Sequence, residues 1–316
     1  MRTMLYPMVQ FKKDTWEIDE FDCTSIYLLV GTEKAMVIDT GMGIGNLHGA
    51  IEMFTDKPLI TVITRNHLAR TGNARQFDDL WINEKEMEAP IPQSIERRRF
   101  DVIRIAKRQK GCFDGVYKMF NLYPYDIDDD LANPGSEEKM PEFHAITDGM
   151  KFDLGGGRIV TAYSCQVHSP GQMIFHDELT NTMIVGSALN YNLRGISVPL
   201  ETSYRSLRKL QTLSETCDGI WNGDHEFRAL GAPLDEDCLP NAIAIMEDVL
   251  EGHIVPVTEP DFWGLELSLK RRNNDSAVFD DLGISQKNNR ITLRKGRNYL
   301  TIDPNNLYKT EKQKKR

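Results

Sequence analysis

The chain has 316 residues, and its 38 Lys and Arg against 47 Asp and Glu give a formal net charge of −9. That balance argues against general nucleic-acid affinity, because neutralising phosphates needs clustered basic residues. Hydrophobic content of 40% and charged content of 27% match globular averages, enough for one large or two ordinary domains with a sizeable core. No apolar run approaches the roughly 20 residues of a membrane helix, so no membrane partner is expected.

The opening Met1–Pro7 lacks the continuous apolar core of a secretory signal. The five cysteines, Cys23, Cys112, Cys165, Cys217 and Cys238, are odd in number and scattered, so free thiols in a reducing cytoplasm are expected. Residues 16–41 read as strands, with Gly31-Thr32-Glu33-Lys34 as a hairpin turn. From Asn46 to Phe54, Leu47, Ala50, Ile51 and Phe54 fall at helical spacing. Pro58 introduces the apolar run Leu59–Ile63, and a short helical pattern ends near Phe77. Residues 84–148 lack strand alternation and read as a mainly helical insertion, with Ser94 capping a helix through Phe100, Ile103 and Ala106.

One side of that helix is basic (Arg97, Arg98, Arg99, Arg104, Lys107, Arg108), which favours a solvated face. The functional alternative is a lid, with Phe113, Tyr117 and Phe120 as a stacking surface. Asp126, Asp128, Asp129 and Asp130 lack the Gly and Glu of a calcium loop. Strands resume at 152–154 and 158–161 around Gly155-Gly156-Gly157. This is a hairpin turn rather than a phosphate loop, since no Lys-Ser/Thr follows. A helix from Ser203 to about Glu215, a strand at 219–221, a helix from Pro240 to Leu250 and strands at 291–294 and 298–302 complete one domain. A basic tail, 309–316, closes it.

Several segments carry a family likeness when taken in order. Thr64-Arg65-Asn66-His67-Leu68-Ala69-Arg70-Thr71-Gly72 follows a strand and precedes a helix. It resembles the metal-binding loop T-H-x-H-x-D-H-x-G of the metallo-β-lactamase-fold hydrolases. Ile38-Asp39-Thr40-Gly41 resembles the family's I-D-T-G turn, and His168-Ser169-Pro170-Gly171-Gln172 its H-[ST]-P-G-[SQ] segment. Gly186-Ser187-Ala188-Leu189 is similar to G-D-A-L, and Asn222-Gly223-Asp224-His225 to the closing P-G-H. The resemblance spans about residues 20–235 and implies an α/β fold, the metallo-β-lactamase-like αββα four-layer sandwich, with two similar β-rich halves.

The resemblance also implies that ligands are missing. Arg65 and Arg70 stand at two histidine positions, Ala69 and Ser187 at two aspartate positions, and Asp224 at the last histidine. An arginine stays cationic and cannot ligate a metal, so the usual pair of metals is not expected. The leading expectation is a metal-independent enzyme, hydrolase, lyase or isomerase, acting on an anionic or carbonyl-containing small molecule. Arg65 would anchor or polarise an oxygen, His67 and His168 would transfer protons near neutral pH, and Asp224 would pair with Arg70 in a bidentate contact. Ser187, Tyr191 and His225 are assigned to substrate binding, and Asp39 is expected to pair with Arg65 or Arg70.

One alternative keeps a single zinc or iron ion on His67, His168 and Asp224, and another is a non-catalytic protein binding a ligand or partner. Ser187 as nucleophile lacks a base, Cys165 reads as an inert strand cysteine, and Ser206-Leu207-Arg208-Lys209 is a chance match to S-x-x-K. A homo-oligomer is left open.

Overall fold

The computed structural model describes residues 6–20, 24–43, 45–87, 141–224, 228–256 and 291–303. Four strands, β1 (Met8–Lys12), β2 (Thr15–Glu20), β3 (Thr24–Val30) and β4 (Ala35–Ile38), pair antiparallel in succession. β5 (Leu59–Val62), β6 (Asp79–Ile82) and β7 (Glu142–Ala145) then add in parallel, making a seven-stranded sheet in chain order. The expected turn closes as Gly31 N–H donates to Lys34 O at 2.9 Å.

The second sheet has five strands: β8 (Lys151–Asp153), β9 (Ile159–Ser164), β10 (Met173–Asp177), β11 (Thr182–Gly186) and β13 (Gly219–Asn222). Their order is β13-β11-β10-β9-β8. A small third sheet joins β12 (Asn192–Leu193) to the hairpin β14 (Ile291–Lys295) and β15 (Asn298–Ile302).

Alternation along β3 builds the layers. Ile26 and Leu28 face outward with Leu47, Ala50 and Ile51 of α1 (Leu47–Glu52), whereas Tyr27 and Leu29 face inward. The inward set meets Phe152, Val160, Ala162, Phe175 and Ile184 of the second sheet, so both faces of β3 are dry. On the far side, α3 (Leu200–Ser214) and α4 (Cys238–Leu250) bury Leu207, Leu210, Ile243 and Met246 against Val185 and Leu189. Helix, sheet, sheet, helix is the expected four-layer order. Each large apolar side chain so buried contributes about 1.5–3 kcal/mol.

Boundaries moved where local chemistry differs from periodicity. Asn46 caps α1 by accepting from Gly49 N–H at 2.9 Å. α3 starts at Leu200, ahead of Ser203, because Pro199 rather than a serine precedes its first turn. The triple glycine is the β8–β9 turn, with φ of 83°, 65° and 80°. The expected insertion to 148 is corrected at its end, since β7 is an edge strand. Its residues are mostly exposed, Phe143 included, so no apolar alternation marks it.

The helix at Ser94, its basic face, the aromatic surface, the aspartate loop and the tail lie outside the described residues, as do Cys23 and Cys112. Cys165, Cys217 and Cys238 are free thiols. Among the described residues no helix is long and apolar enough to cross a membrane.

The sheets are stapled by Arg158, just before β9. It holds Asp177 through two contacts, Nη2–Oδ2 at 2.6 Å and Nε–Oδ1 at 3.3 Å. Its Nη1 reaches back to Asp14 O at 2.7 Å and Val30 O at 2.9 Å in the first sheet.

Candidate functional site

The motif loop leaves β5, crosses the end of the first sheet and enters the one-turn helix α2 (Leu68–Thr71). Thr64 anchors its start: its N–H donates to Asp39 Oδ1 at 2.8 Å and its hydroxyl lies within 3.0 Å of the same carboxylate. Asp39 sits at a positive φ of 65°, which aims its side chain back at the loop. Burial raises Asp39 to about 6, opposed by Arg70 and by the Thr64 hydrogen bonds. Of its two expected partners the structure gives it Arg70, at 3.6 Å.

Arg70 is buried, with both terminal nitrogens engaged and Nε only in ion-pair range of Asp39. Nη1 donates to Thr24 Oγ1 at 2.6 Å and to Gly223 O, and Nη2 donates to Asp224 Oδ1 at 2.6 Å. A Cβ on Gly223 would stand 2.7 Å from this guanidinium, so glycine there makes room for it. The expected bidentate contact is corrected to a single one, because Asn190 Nδ2 takes the other Asp224 oxygen. Asn190 Oδ1 accepts from Asn222 Nδ2 at 2.8 Å, and Asn222 Oδ1 from Arg228 Nε at 2.7 Å. Arg228 in turn holds the buried Glu17. This polar chain crosses from β2 to the site.

Arg65 is different. Its one side-chain hydrogen bond runs from Nε to Ser187 Oγ at 2.7 Å, and no carboxylate pairs with its terminal nitrogens among the described residues. Burial lowers its pKa to about 10, with Arg70 adding to the effect; Asp224, Glu86 and Asp39 pull the other way.

The histidines lie to either side. His67 caps α2, its Nδ1 accepting from Ala69 N–H at 3.3 Å, so the neutral ring carries its proton on Nε2. The surrounding protein and then the Arg65 and Arg70 charges hold His67 well below 6.5. His168 is 3% exposed, and burial with Arg65 drives it down to about 3. Neither of its ring nitrogens completes a well-formed hydrogen bond, although the backbone of Ser187 and Arg194 lies beside them. In the free protein both imidazoles are neutral at pH 7, because burial and then the neighbouring guanidinium groups disfavour a further charge.

Glu86 ties the two histidine loops together. Its carboxylate accepts Asn66 N–H and Gly171 N–H, each at 2.9 Å. Sequence reading missed Glu86, as it missed Asn190, Asn222, Arg228 and Glu17.

Arg65, His67, Arg70, His168, Ser187 and Asp224 are thus gathered around one loop cluster. Tyr191 is not brought into it. Its ring packs in the helical-side core and its hydroxyl donates to Asp235, so substrate contact is not its place. Alternation explains the miss: Tyr191 and Leu193 face the helices, while Asn190 turns toward Asp224. His225 lies outside the described residues.

Among the described residues, three His, Cys, Asp or Glu donors come within 4.8 Å of one another at Asp79, Glu142 and His144, on an exposed sheet edge. His67, His168 and Asp224 do not converge in that way, and both Asp224 oxygens and His67 Nδ1 already accept protein hydrogens.

No family model matches the chain, and no curated protein matches it. Solved structures do. A metallo-beta-lactamase from Pontibacter korlensis superposes with a TM-score of 0.50 at 11% identity, covering 77% of this chain and all of that one (100%). The sec-alkyl sulfatase PisA1 gives 0.52 at 10% identity, covering 78% of this chain and 42% of its own length. The fold is that of the metallo-β-lactamases. At such identities the likeness speaks to fold alone.

Proposed function

We propose that this chain is a small-molecule enzyme of hydrolase, lyase or isomerase type in which Arg65 holds the substrate oxygen that a metal holds elsewhere in the fold. The observation that carries this reading is the Arg65 fork, a half-buried guanidinium with its terminal N–H groups uncommitted among the described residues, beside a buried Arg70 whose terminal nitrogens are committed. Two guanidinium groups at ligand positions do not fit a two-metal centre.

Arg65 anchors an anionic or carbonyl oxygen and opposes charge developing on it. His67, neutral and capping a helix, offers Nε2–H as a second donor, since an imidazole with a lowered pKa serves as an electrophile rather than a base. Ser187 fixes the Arg65 side chain in its orientation, and Asp224 with Asp39 fixes Arg70.

Arg65→Ala tests the reading against a panel of ester, sulfate-ester and lactone substrates. A loss of about 10²–10³ in turnover with the fold retained is expected. Lost affinity in a protein with no turnover would instead make the site a non-catalytic ligand site. Elemental analysis of protein purified without chelators supplies the second check. One equivalent of zinc or iron, lost in His168→Ala, would overturn the metal-independent reading and restore a single ion on His67, His168 and Asp224.

A further inference from the structure

Resting on that reading, we infer that the group Arg65 anchors is a planar monoanion, a carboxylate, and not a phosphate dianion. Binding a phosphate draws on several converging donors, a second cation or a nest of backbone N–H groups. The motif loop offers no nest. The N–H groups of Thr64, Asn66 and Ala69 go to Asp39, Glu86 and His67 Nδ1, and those of residues 70–73 bond backbone carbonyls. On the facing loop, His168 N–H donates to Gln172 Oε1 at 2.8 Å and Gly171 N–H to Glu86.

Among the described residues of the motif loop, the other guanidinium is already engaged: Arg70 has both terminal nitrogens committed. Against two guanidinium groups stand three carboxylates, Asp39, Asp224 and Glu86, each acting on Arg65. A dianion meets that negative field twice over, whereas a monoanion meets it once.

Geometry points the same way. With Nε taken by Ser187, Arg65 presents only its end-on pair of terminal nitrogens. Two parallel N–H···O bonds from such a fork match the two coplanar oxygens of a carboxylate.

The test uses the wild-type protein and two ligands that share a ring. Benzoate is a monoanion, and phenyl phosphate is largely a dianion at about pH 7.5, since its second pKa lies near 6. Each competes with phenylglyoxal for Arg65, and adduct formation on the Arg65 peptide is followed by mass spectrometry. Benzoate is expected to slow modification of Arg65 by about tenfold at saturation, while phenyl phosphate at equal concentration changes it by less than about twofold. Equal or better protection by phenyl phosphate would overturn the carboxylate assignment and leave the anchoring role of Arg65 standing. Failure of Arg65 to react at all, or no protection by either ligand, would overturn the anchoring role itself.

Discussion

Arg158 and Arg65 are both shielded guanidinium groups, yet they sit in opposite situations. Arg158 is 1% exposed, forks onto Asp177 and spends its remaining N–H groups on Asp14 O, Val30 O and Thr15 Oγ1. Arg65 spends one bond on Ser187. The first is a staple between sheets, complete within the fold. The second leaves its terminal nitrogens without a protein partner among the described residues. Burial alone does not distinguish structure from function; the inventory of unspent donors does.

The sharpest way to break this comparison is to remove one partner at each place. Asp177→Ala leaves Arg158 charged and unpaired between the sheets, and a loss of about 3–5 kcal/mol in unfolding free energy is expected. Urea unfolding followed by far-UV circular dichroism measures it. A loss near zero would mean that the staple is ornamental.

Next in size is the pH dependence of stability. His168 is held at about 3 against an ordinary 6.5, so below 6.5 the unfolded chain binds a proton that the folded one refuses. Stability therefore falls as pH drops from 6.5 toward 3, and His67 acts in the same direction. Asp39 opposes them: with its pKa raised from 3.8 to about 6, its contribution is present at low pH and is lost as pH rises through 6. With two groups against one, stability climbs between 3.8 and 6.5. Denaturant midpoints across that window should flatten in His168→Gln and steepen in Asp39→Asn. An unchanged slope in His168→Gln would show that its ring is protonated in the folded protein.

The smallest effect is expected at Arg65 itself. Arg65→Ala removes one hydrogen bond and also a repulsion with Arg70, so stability should change by about 1 kcal/mol or less. A loss as large as that at Asp177 would place Arg65 with the staples.

How much of this was legible beforehand depended on the range of the interaction. Local chemistry was readable: the turn at Gly31–Lys34, the helical spacing after Asn46 and the triple-glycine hairpin each need only neighbouring residues. Motif register placed Arg65, His67, Arg70, His168, Ser187 and Asp224, because strand ends in this fold deliver those positions to one place. Partners distant in sequence were invisible. Arg228 meets Glu17 across 211 positions and Gly171 meets Glu86 across 85, and neither pair has a local signature. β7 escaped because an exposed edge strand needs no apolar face. The protonation state of the histidines was not legible either: residue identity names the titrating group, and burial and the surrounding cations set where it titrates.

The carboxylate of Glu86 holds one amide from the loop of His67 and one from the loop of His168. Two loops from different sheets thereby share a single hinge pin. Glu86 is thus one of the contacts that set the spacing between the two histidine loops, beside Met173 N–H on Thr64 O and Arg65 on Ser187.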